Sequence, residues 1–176
     1  MELLITDRLI LRPWNINDSK DLFEYAKTDL VGPNAGWLPH KTEKESKNTI
    51  LFFTKTKEVL AIVLKSENKV IGSISLHTSC PHKYLKNLNQ RELGYALNPK
   101  YWGNEYIKEA ALAVIDYAFN KINLDIIWCA HQDTNNNSKK VIEKLNFTYT
   151  FSKNLNNNSI LYYYLKNPSN NISLTS

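Results

Sequence analysis

The pattern of hydrophobic and polar residues divides the chain into short alternating or wholly apolar runs and longer runs with helical spacing. Short runs of these kinds predict β-strands, whereas apolar residues repeated every three or four positions predict helices. Strands are predicted at residues 8–14, 59–64, 70–77, 91–97, 124–130, 147–152 and 160–166. Helices are predicted at residues 17–27 and 42–57, from Tyr106 to Ala118, and after the polar segment 134–137.

The connections between these elements are of two kinds. A polar turn at residues 67–69 joins two apolar strands into a hairpin, and an Asn-rich turn at residues 154–158 joins the last two strands. Other strands are separated by helices, as in strand–helix–strand crossovers. This mixture predicts an α+β fold with a mixed sheet of about seven strands and four helices. We expect one domain over residues 1–167 and a polar tail over residues 168–176.

Residues 92–118 join a strand to a long helix through a tight turn. The strand breaks at Asn98-Pro99, and Tyr101-Trp102-Gly103 leads into the helix. The first backbone N–H groups of a helix have no partner within it, and the helix dipole adds positive potential there. The turn is therefore expected to bind an anion such as the pyrophosphate of a nucleotide-like cofactor.

Composition and charge narrow the class of protein. The chain is 43% hydrophobic and 22% charged, which is typical of a globular protein. It has no apolar run near the roughly 20 residues that a membrane span requires. The net charge of +5 favours anionic partners. Because the lysines are spread along the chain, however, a solvated basic surface is favoured over a nucleic-acid interface.

The cysteines and the N-terminal segment indicate a cytoplasmic location. Cys80 and Cys129 are too few for a disulfide framework, so reduced thiols are expected. Cys80 and His82 lack a second ligand pair at a suitable spacing, and no metal site is expected. The early acids and arginines of MELLITDRLILRP do not fit a secretory signal.

Several motifs in the correct order resemble the GNAT acyl-CoA N-acyltransferases, and more narrowly the RimJ/RimL type, the ribosomal-protein N-terminal acetyltransferases. The motifs are TDRLILRPW, GPNAGWLPHKTEKES, NKVIGSISLH, ELGYALNPKYWGNEYIKEA and NNNSKKVIEKLNF. The resemblance covers residues 6–166 and implies a GNAT-like fold with acetyl-CoA as cofactor. It also implies direct acetyl transfer to a primary amine, on a protein N-terminus or a small molecule, by a monomer or homodimer.

The resemblance carries cofactor contacts over to particular positions. The backbone of the fourth predicted strand would pair with the pantetheine arm, through Gly94, Tyr95, Ala96 and Leu97. Backbone N–H groups of the following turn would bind the pyrophosphate, from Trp102, Gly103, Asn104, Glu105, Tyr106 and Ile107. In the Asn-x-x-Ser motif, Asn135 would bind the cofactor or hold the site, and Ser138 would face the thioester sulfur. Lys140 could meet a phosphate.

Three residues depart from the family pattern. Glu105 stands where the phosphate loop usually has glycine, and Ile107 stands where it usually has a small residue. A glycine there lets the backbone approach the phosphates closely. Ile142 occupies the place of a tyrosine acid in many relatives, which leaves Ser138 as the candidate acid or sulfur contact.

The chemistry needs a group that removes a proton from the ammonium of the acceptor. Glu92 is the first candidate for this base, directly or through a water, and its alternative is a rim carboxylate paired with Arg91 or a lysine. His77 is the second candidate, with a surface or core histidine as its alternative. Ser138 as acid or sulfur contact has the alternative of a plain helix-cap hydroxyl.

Two aromatic residues are candidates for the acceptor side. Trp37, on the loop at residues 31–40, could be a substrate wall or could pack on the core, and both remain open. Tyr163 lies in an alternating run on the last strand, one face of which could line an acceptor groove. The rival hypothesis for the whole chain, motivated by Glu105 and Ile107, is an acyl-CoA-binding module of the same fold without turnover.

Overall fold

The computed structural model describes residues 1–78, 81, 87–155 and 158–170. Its strands are β1 (Leu4–Ile5), β2 (Leu9–Pro13), β3 (Val59–Leu64), β4 (Lys69–His77), β5 (Gln90–Leu97), β6 (Ile126–Gln132), β7 (Thr148–Leu155) and β8 (Asn158–Lys166). Its α-helices are α1 (Ser19–Ala26), α2 (Glu43–Thr56), α3 (Tyr106–Asn120) and α4 (Asn136–Lys144). Cys80, His82 and residues 171–176 of the predicted tail lie outside the described residues.

The strands form one mixed sheet in the order β1-β2-β3-β4-β5-β6-β8-β7. Only the β5–β6 pair is parallel among the described strands, and the other neighbours are antiparallel. The predicted α+β fold with a mixed sheet is therefore confirmed, with eight strands where about seven were expected. The additional strand, β1, has only two residues and pairs Leu4 with Leu11, so no alternation could reveal it.

Each face of the sheet carries its own apolar cluster. The larger cluster contains Leu9 and Leu11 of β2 together with the inward faces of α3 and α4. The second cluster lies under α1 and α2. All six residues of β3 are buried, because this central strand is covered on both faces. Leu9 and Leu11 are fully buried, as the alternation in residues 8–14 predicts.

The Asn-rich turn between the last strands is shorter than predicted. Asn154 and Leu155 belong to β7, and Asn158 begins β8, with Leu155 opposite Asn158. The prediction of a turn over residues 154–158 is therefore wrong at both ends, and residues 156–157 lie outside the described ranges. Asn has a low strand propensity, but Asn154 and Asn158 lie in strands because β7 and β8 supply backbone partners to each other.

The turn after β5 is fastened to α1 by the carboxylate of Glu24. Glu24 accepts hydrogen bonds from Asn98 at 3.1 Å and Lys100 at 2.9 Å, and its other oxygen pairs with Lys69 at 2.9 Å. Lys69, followed by Lys100, lowers the pKa of Glu24 to about 2. The turn that leads to α3 therefore starts from a fixed position.

Within the described ranges, no helix is long and apolar enough to cross a membrane. The same residues contain no group of three or more His, Cys, Asp or Glu side chains that could hold a metal ion.

Candidate functional site

The sheet opens between its two parallel strands. β5 and β6 pair only at Gln90–Ile126, Arg91–Ile127 and Glu92–Trp128. Beyond Glu92, β5 continues with β4 as its partner, and β6 continues with β8. The facing edges of β5 and β6 thus diverge and leave a stretch of β5 backbone without a strand partner on that side. Such an edge can pair with an extended ligand.

The turn between β5 and α3 presents free backbone donors. No described backbone or side-chain acceptor receives a hydrogen bond from the N–H groups of residues 103–108. Gly103 and Glu105 both have left-handed backbone conformations, with φ of 81° and 62°. Asn104 holds the turn by donating from its side chain to the carbonyls of Tyr101 and Trp102. Free amides at the start of a helix form an anion-binding site.

A cavity of about 320 Å³ lies between the end of β5, the first turn of α3 and the side of α4. Its remaining wall is the loop after α1, through Leu30, Val31, Asn34 and Ala35. Gln132 of β6 donates to the carbonyl of Pro33 at 2.9 Å and anchors this loop. The open strand edge and the free amides therefore belong to one cavity.

Most of the predicted cofactor residues line this cavity: Tyr95, Ala96, Leu97, Trp102, Gly103, Glu105, Tyr106, Ile107, Asn135, Ser138 and Lys140. Gly94 and Asn104 do not line it. Gly94 lies against Ser75, whose Oγ would be 2.8 Å from an added Cβ. Trp102 donates from its indole to the Leu97 carbonyl at 3.0 Å, so this carbonyl already has a partner.

Sequence reasoning missed several residues that line the cavity. They are the loop residues Leu30, Val31, Asn34 and Ala35, together with Tyr101, Lys108, Asn137, Val141 and Lys144. Lys108 and Lys144 could have been found from helical spacing, because Lys108 lies in the first turn of α3 and Lys144 lies one turn after Lys140. The charged residues of the lining are three lysines and Glu105, which gives the cavity a positive potential suited to phosphates.

Glu105 occupies its left-handed position with its side chain turned to α4. Its carboxylate pairs with Lys144 at 2.6 Å, and this lysine holds the pKa of Glu105 below its usual value. A non-glycine residue at positive φ is strained, which explains why glycine suits this position. The other two departures from the family pattern are core residues, since Ile107 is 6% exposed and Ile142 is fully buried.

Ser138 lies in the first turn of α4, where Asn135 caps the helix. The Asn135 side chain accepts from the Ser138 N–H at 3.0 Å. The Ser138 hydroxyl is 2.9 Å from the Tyr95 hydroxyl of β5, so α4 and β5 touch across the cavity. Cys129 of β6 is also in contact with Tyr95, and burial raises the pKa of the Cys129 thiol to about 12.

Glu92 and His77 lie on the opposite face of the sheet from Tyr95. They are directly opposite one another in the β4–β5 register, and Glu92 also forms the last pair with β6 before the strands diverge. His77 is bound to Glu58, with 3.1 Å between Nδ1 and the carboxylate. Tyr162 of β8 lies near Glu92. Burial, followed by the charge of Glu92, raises the pKa of Tyr162.

Neither predicted acceptor residue lines the cavity. Trp37 packs against Gly32 and His40, with 5.3 Å between the Trp37 and His40 ring centres. Tyr163 is 7% exposed, stacks on His131 and is 3.1 Å from its Nε2. Because adjacent strand residues point to opposite faces, Tyr162 instead shares the face of Glu92.

Comparison with known proteins places this geometry among acetyltransferases. The chain is similar to the uncharacterized N-acetyltransferase YnaD of Bacillus subtilis (strain 168), with 29% identity over 148 residues, 81% of this chain and 80% of that protein.

Solved structures share the fold. A GNAT-family acetyltransferase from Bacillus anthracis superposes with a TM-score of 0.83 at 24% identity, covering 94% of this chain and 99% of that one. The ribosomal-protein-S5-alanine acetyltransferase of Vibrio fischeri superposes with a TM-score of 0.75 at 21% identity, covering 96% and 98%. The model of the acetyltransferase (GNAT) domain matches residues 8–148, and this chain therefore belongs to the GNAT acetyltransferase family.

Proposed function

We propose that the chain is an acetyl-CoA-dependent N-acetyltransferase that moves an acetyl group directly to a primary amine. The observation that carries this proposal is the continuity between the unpaired edge of β5 and the free amides of residues 103–108. The edge of β5 provides hydrogen-bonding groups for an extended arm that contains amides, and the free amides provide donors for a diphosphate. Together they match the two chemical halves of CoA.

Particular residues would hold each half of the cofactor. The backbone of Tyr95 would pair with the pantetheine arm, whereas the carbonyl of the next residue, Ala96, is turned toward Gly72 of β4. The amides of residues 103–108 would bind the pyrophosphate. Lys108 and Lys140 lie beside these amides, and no carboxylate of the described residues forms an ion pair with either lysine. Both are therefore available to phosphate oxygens.

Acetyl-CoA, when bound, supplies an acetyl group activated as a thioester. Glu92 would accept a proton from the ammonium of the acceptor, with His77 as the second candidate, because both lie beside the point where β5 and β6 separate. A backbone N–H of β5 could polarise the carbonyl of the acetyl group. Ser138 would face the sulfur from the other side of the sheet.

A covalent acetyl-cysteine is disfavoured in this mechanism. Cys129 is the one cysteine among the described residues, and it is 1% exposed. The thiolate is the nucleophilic form of cysteine, and burial raises the pKa of Cys129 to about 12. Direct transfer is the simpler route.

The acceptor is proposed to be a primary amine that approaches the Glu92 face. A protein N-terminus in the manner of the RimJ/RimL type is one candidate, and a small-molecule amine is the other. Tyr162 lies on this face, whereas acceptor contacts by Trp37 and Tyr163 stay predictions. We propose a cytoplasmic enzyme acting as a monomer or homodimer.

A second candidate function is an acyl-CoA-binding module without turnover. The Glu105–Lys144 ion pair favours it, because it places a carboxylate at the rim of the proposed phosphate site. Calorimetry with acetyl-CoA and CoA, followed by a thiol-release assay over a panel of amines, separates the two functions. Thiol release with at least one amine is expected. Tight binding without release on any amine would favour the module, and no binding of CoA would contradict both.

Replacing Glu105 by glycine is expected to leave the affinity for CoA unchanged or to raise it. Glycine adopts φ near 62° without strain, which contributes up to about 1 kcal/mol of stability. The lost ion pair is exposed, so its loss costs little stability. Lys144 becomes free to contact phosphate. Calorimetry and thermal unfolding measure both effects.

Glu143→Gln is the matched control, because Glu143 is an exposed carboxylate of α4 that pairs with Lys139 at 4.0 Å and does not line the cavity. It should change neither CoA affinity nor stability noticeably. A large loss of CoA affinity in Glu105→Gly alone would mean that the Glu105 side chain has a role of its own in binding.

A further inference from the structure

The hydroxyl of Tyr95 makes a specific contact inside the cavity. It lies 2.9 Å from Ser138 Oγ and 3.3 Å from the Ser138 carbonyl oxygen, while its other neighbour is the buried thiol of Cys129. Tyr95 and Ser138 both line the cavity. Tyr95 of β5 is thus hydrogen-bonded to Ser138, the serine that would face the CoA sulfur.

Tyr95 is suited to act as a permanent donor. Burial raises the pKa of Tyr95 well above its usual value, so the hydroxyl keeps its hydrogen at all usable pH. Cys129 likewise stays a neutral thiol. A serine hydroxyl has one hydrogen and can accept two hydrogen bonds. Tyr95 has one hydrogen for two acceptors of Ser138, the carbonyl oxygen at 3.3 Å and the closer Oγ at 2.9 Å. When Tyr95 donates to the closer Oγ, the hydrogen of Ser138 is left to point toward another acceptor.

We propose that Tyr95 is a positioning residue whose hydroxyl donates to Ser138 Oγ and thereby directs the Ser138 hydrogen at the CoA sulfur. This inference rests on the proposed function. The Ser138 hydroxyl then stabilises the negative charge that the sulfur carries after the carbon–sulfur bond breaks, and Ser138 keeps its own proton. Hydrogen bonds to a charged acceptor are roughly twice as strong as neutral ones.

The test follows the thiol of bound CoA and needs no acceptor. The ultraviolet absorbance of the thiolate is titrated against pH in CoA complexes of the wild-type protein, Tyr95→Phe, Ser138→Ala and the double variant. The wild-type complex is expected to hold the thiol pKa below that of free CoA. Each single variant should raise it by about one pH unit, since a hydrogen bond to a charged group changes an equilibrium roughly tenfold.

The double variant should show no more than the single effect, because Tyr95 acts through Ser138. The charged residues that line the same cavity, Glu105, Lys108, Lys140 and Lys144, are unchanged in every variant. Glu92, whose charge acts on Cys129, is also unchanged. Tyr25→Phe is the matched control, because it removes the hydroxyl of a buried tyrosine that belongs to the cluster on the other face. It should leave the thiol pKa unchanged.

Several results would overturn the inference. These are a Tyr95→Phe complex that titrates like the wild type, single effects that add in the double variant, or a wild-type thiol pKa equal to that of free CoA. Intact acetyl transfer in those cases would preserve the proposed function, whereas no binding of CoA would contradict both. Should Tyr95→Phe fail to fold, 3-fluorotyrosine at position 95 supplies a stronger donor of similar shape. It is expected to lower the thiol pKa, and an unchanged value would overturn the inference.

Discussion

Glu92→Gln is expected to lower kcat by roughly 10²- to 10³-fold at neutral pH while the affinity for CoA changes little. Glu92 forms the last β5–β6 pair before the strands diverge. Its carboxylate therefore lies beside the gap through which the cavity reaches the opposite face of the sheet. Glutamine keeps the size and polarity of the side chain but cannot accept a proton. Steady-state rates with a responsive amine, together with calorimetry of CoA binding, measure the two effects.

His77→Gln is the matched comparison for Glu92→Gln. His77 stands opposite Glu92 but is already bound to Glu58, so its loss is expected to change kcat only severalfold. The acidic limb of the pH–rate profile should be lost in Glu92→Gln and kept in His77→Gln. An unchanged profile in Glu92→Gln would remove Glu92 as the base, and a large rate loss in His77→Gln would transfer that role to His77.

Gly72→Ala is expected to destabilise the fold by about 1–3 kcal/mol through overpacking. An added Cβ would stand 2.4 Å from the Ala96 carbonyl oxygen and 3.2 Å from Leu97 Cα, both of which are backbone atoms of β5. Relief therefore requires β5 to move. Thermal unfolding should show a fall of about 2–4 °C for each kcal/mol in a chain of this size.

CoA affinity should fall in the same variant, because Ala96 and Leu97 line the cavity. Gly36→Ala is the control for a glycine substitution. A Cβ added at Gly36 meets no atom within 4 Å, and alanine at this position is strained because the backbone φ is 84°. Its cost, about 1 kcal/mol, should come without loss of CoA affinity. Normal CoA affinity in Gly72→Ala would contradict the placement of the cofactor along β5.

Most of the fold could be predicted from the sequence because local patterns coincide with burial. The apolar residues at helical spacing in α3 and α4 lie on the buried faces of these helices, with Ala110, Val114 and Ile142 fully buried. Features that depend on distant partners could not be predicted. β1 exists because β2 is beside it, and the ends of β7 and β8 extend into Asn-rich sequence because the two strands pair there.

The candidate site likewise contains features set by local sequence and features set by distant partners. The phosphate turn is local, so its residues could be placed from a strand, a turn and a helix that follow one another. The loop after α1 is joined to the distant strand β6 by the hydrogen bond from Gln132, and Glu105 meets Lys144 when α3 and α4 come together. The face that Tyr163 occupies likewise depends on the register of β8 with β6.

Backbone amide signals in the nuclear magnetic resonance spectrum, recorded with and without acetyl-CoA, test the central claim most directly. The claim is that one ligand binds both the open edge of β5 and the free amides before α3. Hydrogen exchange is expected to slow at Tyr95 and Leu97, whose amides point to the open edge of β5, and at residues 103–108 together, while residues of β7 stay unchanged. Saturating acetyl-CoA that protects neither segment, or protects only one, would contradict the account.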